Sequence, residues 1–201
     1  MYLRMGGFLN IVFITSSPRR IELIRKLRLR FKIVKPVGEE DILVPNNPCL
    51  TAILRAKSKV KNYTIGENEV VVSADTVVSV NGRILRKPRD RNEVIRFLEM
   101  LSGKTHEVIT AIYVRARNRE YSECIRTKVV FKKLSRREIK FYANTEEPLD
   151  KAGAYAIQGL ASLFIRKIDG DYYNVLGFPV NRLYTILKSY FEVEIDDIIE
   201  R

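Results

Sequence analysis

The run Val70-Val71-Val72-Ser73-Ala74-Asp75-Thr76-Val77-Val78 is apolar at both ends and carries a carboxylate in its middle. A run of this composition belongs to an interior strand whose two faces are both covered. A charge in such a strand is expensive unless cations, a metal or several hydrogen bonds compensate it. Asp75 is therefore either a satisfied structural carboxylate at a strand end or the working acid of a site. The fold has to be built around that residue in either case.

The chain on both sides of this run alternates strand and helix patterns. Ile11 to Ile14 reads as a buried first strand. Ser17 follows as a helix N-cap, with Pro18 as the first helical residue and Ile21, Ile24 and Leu27 facing inward. Asn47-Pro48 opens a second helix with Cys49, Ala52, Ile53, Ala56 and Val60 on one stripe and Lys57 beside it. Asn81-Gly82 is a two-residue hairpin signal, which returns Arg83 to Leu85 and delivers Arg86-Lys87-Pro88 near the far part of the Asp75 strand. Asp90 and Glu93 begin a third helix that stops at Gly103, and Ser135 and Glu138 cap a fourth. His106 to Val114 and Arg126 to Phe131 read as strands joined by a polar turn near Asn118. Leu163 to Ile168 reads as another strand, Asp169-Gly170 as a hairpin turn, and Pro179 lies near the start of a last helix. Such alternation gives an α/β class. With no repeat or low-complexity linker, residues 1–201 form one domain, bilobed at most, and 192–201 form an acidic C-terminal extension.

Composition sets limits on function. The 201 residues are 46% hydrophobic and 30% charged, enough to bury a core. The apolar run Phe8 to Ile14 is too short to span a bilayer and lacks a cleavage site, so a cytoplasmic, unprocessed protein is expected. Cys49 and Cys124 are too few for a disulfide framework or a cysteine zinc site, and read as small core residues. The net charge of +12 fits a nucleic-acid partner, a small polyanionic substrate, or a solvated surface of mixed ion pairs.

Several motifs fail on inspection. Gly103-Lys104-Thr105 would need a glycine where Leu98 stands and follows a helix instead of opening one, so it is not a phosphate-binding loop. A single histidine, His106, excludes paired-histidine metal sites. No Gly-x-Ser-x-Gly elbow presents a nucleophile. Tyr172-Tyr173 has aromatic faces for a base, although tyrosines in this setting more often pack. What remains is a helix start suited to phosphate (Ser17, Arg19, Arg20), acids at Glu39, Glu40 and Asp41, then Lys57, Asp75, Lys87 and a loop with Gln158. Carboxylates among fixed cations suit metal-assisted attack on a phosphate.

Five blocks in order resemble the Maf family: Thr15-Ser16-Ser17-Pro18-Arg19-Arg20; Ser73-Ala74-Asp75-Thr76-Val77-Val78; Lys87-Pro88; Leu101-Ser102-Gly103-Lys104-Thr105-His106; and Asp150-Lys151-Ala152-Gly153-Ala154-Tyr155-Ala156-Ile157-Gln158-Gly159. The resemblance runs from Ile11 to about Leu187. It implies a nucleoside triphosphate pyrophosphatase with the fold of inosine triphosphate pyrophosphatases, a long mixed sheet dividing two α/β lobes with the site in the cleft. It implies Asp75 as proton acceptor and metal neighbour, Glu40 as metal ligand with Glu39 as competitor, and Lys57 and Lys87 as site lysines. Thr15, Ser17, Arg19 and Arg20 fall on the phosphate-gripping turn; Thr15 stands where the family usually has Ser. Arg19, Thr76 and Gln158 match the branch acting on dTTP and UTP, and the implied cofactor is Mg²⁺ or Mn²⁺. The partners implied are a nucleoside triphosphate and, at most, a second copy of the chain in a homodimer, with no stable nucleic acid and no membrane. Two readings from other classes compete: a basic nucleic-acid-binding module, and a division-regulating interaction protein without turnover.

Overall fold

A computed structural model of the chain describes residues 9–38 and 41–199. Seven strands form one sheet: β1 (Asn10–Ile14), β2 (Phe31–Val34), β3 (Glu69–Val80), β4 (Arg83–Leu85), β5 (Thr105–Ala116), β6 (Arg119–Phe131) and β7 (Ile165–Asp169). The order is β2-β1-β3-β5-β6-β7, with β4 paired to β3. β1 runs parallel to β2 and β3, and the remaining pairs are antiparallel. The helices are α1 (Pro18–Lys26), α2 (Pro48–Val60), α3 (Arg91–Leu101), α4 (Arg136–Ala143), α5 (Tyr172–Val175), α6 (Val180–Phe191) and α7 (Ile195–Ile198).

One detail of pairing positions everything that follows. β5 occupies one edge of β3 from Val71 to Ser79. On the other edge, β1 pairs as far as Ser73 and β4 begins at Val78. Residues Ala74 to Val77 therefore face a notch between two short strands. β1 ends there because Pro18 opens α1 directly afterwards, and β4 is held to three residues by the approach to Pro88.

The faces of β3 explain the two lobes. Val70, Val72 and Ala74 join a core with Leu23 and Ile24 of α1 and Leu183, Ile186 and Leu187 of α6. Val78 and Val80 join a second core with Val94, Leu98 and Leu101 of α3 and Ile139 of α4. Thr76 falls between these two cores on the same face. On the opposite face Val71 and Val77 pack under α2 through Ala52, Ala56 and Val60. The strict alternation of a strand puts Asp75 on this α2 face and Thr76 on the lobe face.

Local expectations are met at several starts. Asn47 caps α2 by accepting from the Leu50 amide, and Ser135 and Glu138 form a reciprocal capping box. Asp90 caps α3, but Glu93 reaches back to the Arg89 amide, one residue before the position a capping box would use. Ser17 does stand at the N-cap of α1, yet its side chain makes no cap bond; its amide donates to Thr15 Oγ1 at 3.1 Å.

Four expectations are corrected. Asp169-Gly170 is not a hairpin turn: β7 pairs back with β6, and the chain continues into α5, capped by Asp171. The β6 strand begins at Arg119, not Arg126, and the segment from Leu160 to Phe164 is a 3₁₀ turn that precedes β7. Cys49 and Cys124 are not independent core residues; a disulfide joins them, pinning the first turn of α2 to β6 with Cα atoms 5.9 Å apart. Apart from these corrections, part of the acidic C-terminal extension packs onto the body of the protein. Ile198 is buried in the α1/α6 core, and its carbonyl accepts from the Arg30 amide at 2.9 Å.

Candidate active site

The notch in β3 leaves the Ala74 carbonyl without a strand partner, and two cations supply what the missing strand would have given. Arg20 Nη1 and Lys59 Nζ both donate to Ala74 O at 2.9 Å. Lys59 also donates to Asp75 Oδ1 at 2.7 Å, in a pair whose side chains are only 8% and 17% exposed. Asp75 Oδ2 is buried with no hydrogen-bond partner among the described residues. A buried carboxylate oxygen left open next to a fixed ammonium can receive a proton or a cation.

The lysine beside Asp75 is thus Lys59, and the structure does not bring Lys57 to it. The sheet-facing stripe of α2 is Ala52, Ala56, Lys59 and Val60, at spacings of four, three and one. Lys57 lies off that stripe. Its ammonium meets Glu120 Oε1 at 2.7 Å and stands 5.2 Å from the Tyr113 ring centroid. Glu120 in turn accepts from the Tyr113 hydroxyl at 2.6 Å. The stripe was visible in the sequence: Lys59 continues it seven residues after Ala52.

Arg20 is buried, and its bonds hold the walls of the notch together. Nε donates to Gly177 O at 2.7 Å and Nη2 to Thr76 Oγ1 at 3.0 Å. Thr110 Oγ1 donates its only proton to Asn174 O at 3.1 Å, so Thr76 donates to Thr110 and accepts from Arg20. The Thr76 hydroxyl is therefore engaged inside this network. Gly177 completes the joint: its φ is +87°, and a Cβ there would stand 2.8 Å from Thr76 Oγ1. Thr15 is also turned inward, buried and accepting from Ser17.

Arg19 points elsewhere. With Gln158, Tyr172, Tyr173, Glu22, Lys26 and Leu176 it lines a groove of about 220 Å³. Burial pulls its guanidinium below the usual arginine range, against the opposing influence of Asp150 and Tyr142. Tyr172 and Tyr173 are both about two-fifths exposed and stand edge to face, 5.8 Å between centroids. Neither tyrosine was selected by motif, although the pair carried the aromatic signal. A larger cavity of about 400 Å³ lies near the start of β1 and β3 and contains none of the expected site residues.

Lys87 is exposed two residues beyond Leu85, which pairs with Val78. Extending that antiparallel register places Lys87 level with Thr76, alongside the notch. The expected metal ligand Glu40 and its competitor Glu39 lie outside the described residues. Their neighbour Asp41 bridges Arg55 of α2 at 2.7 Å and Arg86 at 2.9 Å, which ties this acidic segment to the strand leading to Lys87. Among the described residues no three His, Cys, Asp or Glu side chains cluster as a metal site, and none of the helices is long and apolar enough to cross a membrane.

A mixed α/β sheet interrupted beside one strand, with an acid and two buried cations gathered at the interruption, defines an α/β protein with charged chemistry built into its sheet. The profile of the Maf-like protein family matches residues 10–190, and the chain belongs to that family. A dTTP/UTP pyrophosphatase of Thermosipho melanesiensis is 41% identical over 179 residues, 89% of this chain and 97% of the relative. One of Carboxydothermus hydrogenoformans is 43% identical over 185 residues, 90% of this chain and 99% of the relative. The Ham1 protein of Staphylococcus aureus shares the fold, with a TM-score of 0.51 at 12% identity over 89% of this chain and 98% of that one.

Proposed function

We propose that the protein hydrolyses dTTP and UTP to the monophosphate and pyrophosphate in the cytoplasm. The observation that carries this reading is the Asp75–Lys59 pair at the notch, with one carboxylate oxygen held and the other open. It is supported by relatives named as dTTP/UTP pyrophosphatases that align over nearly their whole length.

Lys59 fixes Oδ1 of Asp75, which leaves Oδ2 to orient a water and accept its proton as the water attacks the α-phosphorus. The donor chemistry fits a hard divalent cation, because an anionic oxygen is buried without a hydrogen-bond partner among the described residues. Asp75 with Glu40 would hold Mg²⁺ or Mn²⁺, which when bound supplies charge neutralisation on the triphosphate. Lys87, level with Thr76 along the notch, and the turn from Thr15 to Ser17 take up charge on the leaving pyrophosphate. Arg20 acts mainly by holding the notch open at Gly177, Ala74 and Thr76. The groove with Arg19, Gln158 and the two tyrosines receives the base, with aromatic surface for its faces and polar groups for its edge.

The test is pyrophosphate release from a panel of nucleoside triphosphates with Mg²⁺ present. Turnover of dTTP and UTP above the purine nucleotides is expected. Absence of pyrophosphate with every nucleotide would overturn the activity, and a purine preference would overturn the substrate assignment alone.

A further inference from the structure

Gln158 stands at the tip of a tight turn in which the Gly159 amide donates to Ala156 O at 3.1 Å. An exposed glutamine on such a turn has many rotamers and a movable backbone, and base selection needs both restrained. One carboxylate performs that restraint from behind the turn. Glu147 Oε2 accepts from the Leu160 amide at 2.8 Å, and Oε1 accepts from the Ala161 amide at 3.3 Å. These are free amides of the first turn of a 3₁₀ helix, whose own N-cap residue, Gly159, has no side chain to satisfy them. Oε1 also accepts from the buried Tyr142 hydroxyl at 2.8 Å.

The result is a chain of bonds from Tyr142 through Glu147 to Leu160 and Ala161, which anchors the segment that directly follows Gln158. Gly159 is required by this closeness: a Cβ there would stand 2.2 Å from the Glu147 carboxylate. Tyr142 is itself fixed, fully buried on α4 and edge to face with Phe164 at 5.3 Å. Glu147 thus joins α4 to the turn that carries Gln158.

We propose that Glu147, seated on Tyr142, is the positioning residue for Gln158 and thereby a determinant of base choice. The proposal rests on the reading of Gln158 as a base-contacting residue. It concerns a residue that touches the turn, not the substrate, so its effect should appear in discrimination between nucleotides and in KM more than in kcat.

The experiment compares the wild-type protein with Glu147→Ala, Glu147→Gln and Tyr142→Phe. Steady-state kinetics with dTTP, UTP, ATP and GTP are combined with hydrogen exchange at the Leu160 and Ala161 amides. Glu147→Ala is expected to raise KM for dTTP and UTP by about tenfold, with a smaller change in kcat, and to narrow the pyrimidine-to-purine ratio of kcat/KM. Glu147→Gln keeps an acceptor oxygen and should recover a large part of both. Exchange at the two amides should quicken by at least about tenfold in Glu147→Ala. An unchanged pyrimidine-to-purine ratio of kcat/KM in folded Glu147→Ala overturns the proposal, as does an equal loss of kcat for every nucleotide. Should Glu147→Ala not fold, Tyr142→Phe decides, since it removes one hydroxyl and keeps the buried ring; an unchanged pyrimidine-to-purine ratio there overturns the proposal. If the wild-type protein itself shows no pyrimidine preference, base selection by Gln158 fails. The clamp is then judged by exchange alone, and unquickened exchange refutes it.

Discussion

Lys59 Nζ lies 2.7 Å from Asp75 Oδ1, while Oδ2 of the same carboxylate is buried and has no hydrogen-bond partner among the described residues. The two oxygens have been made unequal, which separates holding the acid from using it. Asp75→Asn keeps the shape and removes the charge, so turnover should vanish while the protein stays folded, checked by pyrophosphate release and thermal melting. Lys59→Ala leaves Asp75 without its counter-charge, and loss of one partner of a buried pair costs about 3–5 kcal/mol. It should lower both turnover, by orders of magnitude, and melting temperature. Lys57→Ala removes a pair with side chains 37% and 49% exposed. Such pairs contribute about 0–1 kcal/mol, so activity should change by less than about threefold. If Lys57→Ala proves the more damaging, the assignment of the site lysine is wrong.

Arg20 gives a different kind of prediction, because its described bonds go to the protein itself. Replacement by Ala would strip the buried Gly177 carbonyl of the Arg20 donor, while Ala74 would keep only Lys59. A buried carbonyl left unsatisfied costs about 1–3 kcal/mol. Arg20→Ala should therefore reduce stability and activity together, in contrast to a residue that touches only phosphate. Arg20→Lys should restore little, since one ammonium cannot span the three acceptors that the guanidinium fork reaches. Chemical denaturation alongside activity measures both. A fully stable but inactive Arg20→Ala would show that the arginine serves the ligand instead of the walls.

The single histidine predicts a pH dependence of stability. Burial of His106, stacked edge to face on Phe131 and bonded to the Tyr155 hydroxyl at 2.8 Å, lowers its pKa from 6.5 to about 4. The folded state therefore resists protonation while the unfolded chain accepts a proton near pH 6.5. The unfolded state binds more protons between those values, so stability is complete above about pH 6.5 and falls as pH drops toward 4. The slope approaches about 1.4 kcal/mol per pH unit within that window. In His106→Gln the pH dependence of unfolding between 6.5 and 4 should flatten by that amount. Equal slopes in the two proteins would mean that His106 is protonated within the fold.

Much of this architecture could be read along the chain, and the reasons are local. The β1–α1 junction, the caps of α2 and α4 and the Asn81-Gly82 turn each carry their signal within a few residues. Asp75 stood out because a carboxylate in a valine run contradicts its surroundings. The interruption at Ala74 to Val77 could not be read, since it depends on where two other strands stop along the edge of β3. The first half of β6 was hidden by its charges, which are answered by distant partners: Glu123 by Arg182, and Glu120 by Lys57. The Cys49–Cys124 bond spans 75 residues, a pairing that composition alone does not reveal. Lys59 was legible, as the continuation of the Ala52–Ala56 stripe, although the resemblance was carried onto Lys57.

Base choice is the remaining prediction, and it concerns the groove. A uracil or thymine edge presents a carbonyl oxygen, an N–H and a second carbonyl oxygen. The Gln158 amide offers one donor and one acceptor, enough for two of these, and Arg19 on the same groove offers donors for the third. The Thr76 hydroxyl is engaged by Arg20 and Thr110, so its part is to hold the wall and leave room for the ring. A site built on paired polar groups rejects a base that leaves them unpaired, at about 1–3 kcal/mol per buried group. We therefore expect dTTP and UTP to exceed ATP, GTP and 7-methyl-GTP by at least about tenfold in kcat/KM, since about 1.4 kcal/mol is a factor of ten. Gln158→Glu removes the amide donor and places an anion beside an anionic substrate. Because the side chain is exposed, stability should change by less than about 0.5 kcal/mol, while the pyrimidine preference contracts. Arg19→Ala should contract it further, because the third contact is then lost. Steady-state pyrophosphate release across the nucleotide panel for the three proteins is the measurement. An unchanged ranking in Gln158→Glu would remove that residue from base selection and leave the Asp75–Lys59 chemistry standing.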